Sequence, residues 1–236
     1  MPDSEPVNPL ERLEGAHREP QGARVRFQRE LAECDDRLVA IGRRIAAAVV
    51  PVTETFLEAD THRAGELVHD DLNVDRQCLE LEDACFLLLA RQAPVAGDLR
   101  RIVGILRSGG DLQRSAHLLR HVAESLTWVH PPSMPEELRQ TVGQLGGLAA
   151  EILGGAVEAW HNHDGLAIND LDARDDQVDL LQKWLLTELY TGTQSVEEAV
   201  SLALIARYYE RVADHGVEMA RQVAYFLTGA RVGAPD

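Results

Sequence analysis

The chain has 236 residues, enough for one large domain or two small ones, and its 45% hydrophobic content is ample for a packed core. Its 39 acidic and 23 basic residues leave a formal charge of -16, which repels nucleic acid and anionic lipid headgroups and argues against either as a partner. Cys34, Cys78 and Cys85 form no CxxC pair and are odd in number, as expected of buried thiols in a reducing compartment.

Residues 1–24 are polar, acidic and proline-containing, with no hydrophobic period, and predict a flexible N-terminal tail. No basic segment leads into an apolar run there, so a signal peptide is not expected. From Val25 to Asp60, Phe27, Leu31, Leu38, Ile41 and Ile45 recur at helical spacing and predict one long amphipathic helix, with Pro51 as a candidate kink. Between Thr61 and Gln92 the positions Leu67, Val74, Cys78, Leu81 and Cys85 repeat the pattern. Pro94 is placed for the first turn of a third helix, which is expected to run to about Val129. The longest apolar run, Ala84 to Ala90, is about seven residues against the roughly 20 that cross a bilayer, so membrane association is expected only through partners and the location is expected to be cytoplasmic.

Pro131-Pro132-Ser133-Met134-Pro135 concentrates helix breakers and marks a boundary between a first unit, 25–130, and a second, 131–236. Helices are predicted near 136–162, 165–191 and 196–228, the last opening on a Ser195/Glu198 capping box. The pairs Gly109-Gly110, Gly146-Gly147 and Gly154-Gly155 weaken helix propensity by about 1 kcal/mol per residue. An internal duplication supports the division. A shift of 104 superposes Phe56 on Trp160, Asp60 on Asp164, Leu67 on Leu171, Asp71 on Asp175, Val74 on Val178 and Asp75 on Asp179. A shift of 97 superposes Gln113-Arg114 on Glu210-Arg211, Ala116 on Ala213, His117 on Asp214 and Ala123 on Ala220. Self-similarity over this length means two copies of a three-helix unit.

Residues four apart project from one side of a helix, so Asp175 and Asp179 point together from one helix and Glu210 and Asp214 from another. Antiparallel packing of those helices brings four carboxylates together, a set of hard oxygen donors suited to Fe, Mn, Mg, Zn or Ni. The corresponding first-half set is Asp71, Asp75, Gln113 and His117. By spacing alone, a solvated acidic ridge copied by duplication gives the same pattern, so a metal-free helical adaptor stands beside the metal reading. No GxSxG, P-loop or HExxH motif is present, and no Glu-x-x-His pair falls at Asp175, Asp179, Glu210 and Asp214 to mark a ferritin-type site, which leaves a carboxylate-bridged metalloenzyme as a third alternative and favours a protein that is not an enzyme. His215, one residue after Asp214, projects about 100° away from it and suits a supporting or packing role.

The segments Gln92-Ala93-Pro94-Val95-Ala96-Gly97-Asp98-Leu99-Arg100 and Tyr209-Glu210-Arg211-Val212-Ala213-Asp214-His215 resemble signatures of the PhoU family, and Asp71xxxAsp75 and Asp175xxxAsp179 add to the likeness. The resemblance implies an all-α fold of two tandem three-helix bundles related by pseudo-twofold symmetry, with metal clusters on E/DxxxD motifs at the bundle surface. It further implies negative regulation of the phosphate-starvation response and of phosphate uptake, through contact with the ATPase of a phosphate ABC transporter and a PhoR-type sensor histidine kinase. A homodimer is also expected. Carried over residue by residue, Asp175, Asp179, Glu210 and Asp214 are the expected ligands in the second half. In the first half Gln113 and His117 replace the family's Glu and Asp, and the loss of two negative charges points to a single weakly held ion, a softer metal or an empty site. Asp98 is a candidate accessory ligand, and so is His215, although a carboxylate in a first helical turn is equally explained by the helix dipole.

Overall fold

The computed structural model describes residues 21–230, except for the side chains of residues 21, 67–72 and 92. Among the described residues all regular structure is helical: α1 (Gln21–Glu58), α2 (Thr61–Gln92), α3 (Ala96–Glu124), α4 (Glu136–Asn162), α5 (Ala167–Thr191) and α6 (Val196–Thr228). Two short 3-10 turns, Ser125–Thr127 and Pro131–Ser133, connect α3 to α4, and the second packs against α1. Of the expected tail, residues 1–20 lie outside the described residues, while 21–24 already belong to α1. Pro51 sits inside α1 without ending it.

The apolar stripes read from the sequence are the faces that bury. Phe27, Leu31, Leu38, Ile41 and Ile45 of α1 and Val74, Cys78, Leu81 and Cys85 of α2 all lie in the core; Leu67 lies outside the described side chains. α2 packs on α1 and α3, α5 packs on α4 and α6, and the two halves join along α1 with α4 and α3 with α6. Arg139 donates to the Leu57 carbonyl, Thr53 lies on Gly146 and Val157 lies on Gly42, so α1 and α4 run antiparallel. His215 meets Ser115 and Gly229 lies beside Arg100, so α3 and α6 run antiparallel as well. The result is a pair of three-helix bundles related by a pseudo-twofold axis across these two seams, with one hydrophobic core running through both.

The duplication is visible down to single turns. Ala59 and His163, 104 positions apart, end α1 and α4 in the left-handed region at φ 57° and 54°. In each case the next residue is an aspartate whose Oδ1 accepts a backbone N–H: Arg63 to Asp60 at 3.0 Å and Leu166 to Asp164 at 2.9 Å. Phe56 and Trp160, just before these turns, are both fully buried. Ser195 and Glu198 form the expected capping box at the start of α6. The glycine pairs interrupt no helix. Gly146 lets α4 approach α1 so closely that a Cβ there would collide with Thr53, whose hydroxyl bonds Tyr209 Oη at 2.7 Å. Pro94 precedes α3 by two residues instead of opening it, because Ala93 turns left-handed and Val95 is extended.

Candidate metal centre

α5 and α6 are held side by side at one end by Arg221, which bonds Asp172 at 2.9 Å. One turn further along α5 comes Asp175, then Asp179. From α6, Glu210 and Asp214 face the same seam, because the adjoining positions Tyr209, Val212 and Ala213 are buried in the core and fix the helix's rotation. The proximity of the four carboxylates shows in the proton affinities of Asp175, Glu210 and Asp214. Asp175 is pushed up to about 6, first by burial and then by the charges of Asp214, Asp179 and Asp172, against the pull of Arg221. Glu210 is raised by burial and by Asp214 and Asp179, with Arg207 opposing. Burial also raises Asp214, where Arg207 and Arg211 oppose it and Asp179 adds to it.

Neutralisation is incomplete. Glu210 is 8% exposed and one of its oxygens pairs with Arg207, while the other, Oε2, is buried without a hydrogen bond. Asp175 Oδ1 is buried and unbonded too. Asp179 is half exposed and receives Lys183 Nζ at 3.4 Å, and Asp214 is exposed. Two orphaned carboxylate oxygens in a field of like charge are donors suited to a cation. Among the described residues, however, no three His, Cys, Asp or Glu side chains are gathered around one common point at ligand distance. The seam thus has the donor chemistry for a hard cation, with Asp175, Asp179, Glu210 and Asp214 as the residues that would hold it, and closure onto an ion requires rotamer changes at its exposed members.

In the equivalent seam between α2 and α3 the carboxylate of Asp75 is met by side chains of α3. Asp75 Oδ1 accepts Gln113 Nε2 at 2.8 Å and pairs with His117 Nε2 at 2.8 Å. Burial pushes Asp75 up, but those two bonds and the charges of His117 and Arg120 outweigh it and hold the carboxyl below its usual range. The side chain of Asp71 lies outside the described residues. Asp98 does not reach this seam: it is 15 residues, roughly 22 Å, from Gln113 along α3, and it pairs with Arg24 at 2.7 Å beside Gln28. His215 points away from Asp214 into the seam between α3 and α6, where its Nδ1 meets Ser115 Oγ at 2.9 Å and burial lowers its pKa to about 4.

Sequence reasoning missed Asp172, a fifth carboxylate of the seam, and the cations Arg207, Arg211 and Arg221 that temper it. Helical spacing carried the signal, since Asp172 precedes Asp175 by three residues and Arg207 precedes Glu210 by three. It also missed the buried network between the two halves, where Asp35 of α1 accepts Trp160 Nε1 of α4 at 2.9 Å and pairs with Arg101 of α3 at 2.6 Å. No local pattern announces that one.

The family model for the PhoU domain matches residues 38–126 and 142–223 of this chain. The phosphate-specific transport system accessory protein PhoU homolog 2 of Mycobacterium tuberculosis is 34% identical over 210 residues, covering 88% of this chain and 99% of that protein. The crystal structure of the phosphate transport system regulatory protein PhoU from Streptococcus pneumoniae shares the fold at a TM-score of 0.80 and 22% identity, covering 88% of this chain and 100% of that one. PhoU from Pseudomonas aeruginosa does so at 0.79 and 23%, covering 86% of this chain and 100% of that one.

Proposed function

The chain belongs to the PhoU family, and from that membership we propose that it is a cytoplasmic accessory protein of phosphate transport that restrains phosphate uptake and the phosphate-starvation response. It acts by docking on the ATPase of a phosphate ABC transporter and on its partner sensor histidine kinase, without turnover of its own. The observation that carries this reading is the similarity, over nearly the whole length of both chains, to a protein named as an accessory of a phosphate-specific transport system. Among the described residues no helix is long and apolar enough to cross a membrane, so membrane-bound partners would be met at their water-facing domains. Exposed Leu186 and Tyr190 on α5 and Val196 and Val200 on α6 continue the carboxylate seam toward the α5–α6 turn and supply apolar surface for such a contact.

Cations on Asp175, Asp179, Glu210 and Asp214 would neutralise the seam and fix the spacing of α5 and α6, a structural role. The arginines in the seam favour a second reading, in which guanidinium groups do this work and the protein is a metal-free adaptor. Elemental analysis of the purified protein and of Glu210→Gln separates the two, since bound transition metal that falls in the variant belongs to the first reading alone. Chromosomal deletion tests the function itself: phosphatase expression in high phosphate should rise and return to its repressed level on complementation. Expression that stays repressed in a strain with no second copy would remove the regulatory reading.

A further inference from the structure

A cleft of about 300 Å³ opens between α1, α2 and α3 of the first bundle, in the other half of the molecule from the carboxylate seam. Its apolar walls belong to the hydrophobic core: Val52 of α1, Val74 of α2 and Leu119 of α3 line it and are otherwise buried. Its charge comes from Arg44 of α1 and Arg120 of α3, both half-buried. Among the described residues no acidic side chain lines the cleft, in a chain whose formal charge is -16.

The duplication supplies a contrast within the same molecule. By the shifts of 104 and 97 positions, Arg44 corresponds to Leu148 and Arg120 to Val217. Val217 is buried and Leu148 packs against the core. The first bundle therefore carries two guanidinium groups at positions that the second fills with apolar packing. Both arginines interact within the chain, Arg120 with Glu124 at 3.6 Å among others. A guanidinium has five N–H donors, so such contacts leave donors for a ligand.

We propose that this cleft binds a small amphipathic carboxylate, with its aliphatic chain against Val52, Val74 and Leu119 and its head at Arg44 and Arg120. A mostly apolar concavity with a few charged groups is the usual form of a small-molecule site, and this volume falls at the lower end of their range. At about 30 Å³ for each water-sized group the cleft holds about ten non-hydrogen atoms, the size of octanoate. Burial of the chain drives binding, and the planar carboxylate is the head that a guanidinium fork matches.

The test uses the full chain with octanoate, octanol and acetate as probes, followed by calorimetric titration and by the NMR shifts of the Val52, Val74 and Leu119 methyl groups. Octanoate should bind saturably at one site and shift those methyls. Octanol lacks the charge and acetate lacks the chain, and each should bind at least tenfold more weakly, a comparison that needs no variant to fold. Arg44→Gln combined with Arg120→Gln should weaken octanoate at least tenfold and leave octanol unchanged, which separates loss of charge from loss of fold. Absence of saturable octanoate binding would overturn the proposal, as would an affinity for octanoate that survives in the double variant. Octanol binding as tightly as octanoate would overturn it too, since that marks an apolar face that selects no anion, and so would methyl shifts confined to Leu186 and Val200 of the second bundle.

Discussion

Ala59 and His163 hold left-handed backbone at the ends of α1 and α4, a conformation that costs a residue with a Cβ about 1–2 kcal/mol. Replacing Ala59 by glycine should therefore stabilise the fold by about 1 kcal/mol, read as a rise of about 2–4 °C in Tm for a chain of this size. Asp175, Glu210 and Asp214 of the α5–α6 seam give a second, opposite lesson, since their folded pKa values are raised. For Asp175 the folded state binds its proton from about pH 6 downward, whereas the unfolded chain does so only near its ordinary value. Between those limits the native state carries more protons than the unfolded one, so stability falls as pH rises through this window. The raised Asp175 pKa should accordingly make metal-free protein more stable to heat at pH 5 than at pH 7, and Asp175→Asn should raise Tm at pH 7 and flatten that dependence. Calorimetric scans of both proteins at the two pH values check this. Asp175, Asp179, Glu210 and Asp214 were legible from helical spacing because the period of a helix fixes which side chains share a face. Their neutralising arginines were overlooked, although the same spacing places them there. The bonding of Asp75 by Gln113 and His117 was not foreseen: the sequence shows the lost charges, but a hydrogen bond across two helices depends on how those helices seat.

Helix boundaries were read well where a cap or breaker announces them and less well where tertiary contact decides. Ser195 and Glu198 mark the start of α6, and Ser195→Ala should lose about 1 kcal/mol of stability to chemical denaturation. Glycine propensity pointed the other way from the structure at Gly146, because propensity describes an isolated helix and not the helix packed against it. There a methyl group would be forced into Thr53, which bonds both the Val49 carbonyl and Tyr209. Gly146→Ala should cost about 1–3 kcal/mol, as overpacking of a closed core does. A stability change below the error of a denaturation curve would show that α1 and α4 can separate freely. The seams between halves also explain why the buried Asp35–Arg101–Trp160 network was invisible: its members come from α1, α3 and α4, and no spacing along the chain relates them.

The two halves share one plan and differ in how they handle negative charge. In one outer seam Gln113 and His117 bond Asp75; in the other two buried carboxylate oxygens have no hydrogen-bond partner. In a chain of net charge -16, unpaired carboxylate oxygens would attract counter-ions, which is why the proposed cation site is the one in the second bundle. The most direct measurement is titration of metal-free protein with Mn(II), followed by the loss of the free-ion paramagnetic resonance signal. Saturable binding should appear in the unmodified protein, weaken at least tenfold in Asp175→Asn combined with Glu210→Gln, and persist in His117→Ala. Binding that is absent from the unmodified protein, or unchanged when Asp175 and Glu210 are neutralised, would contradict the account.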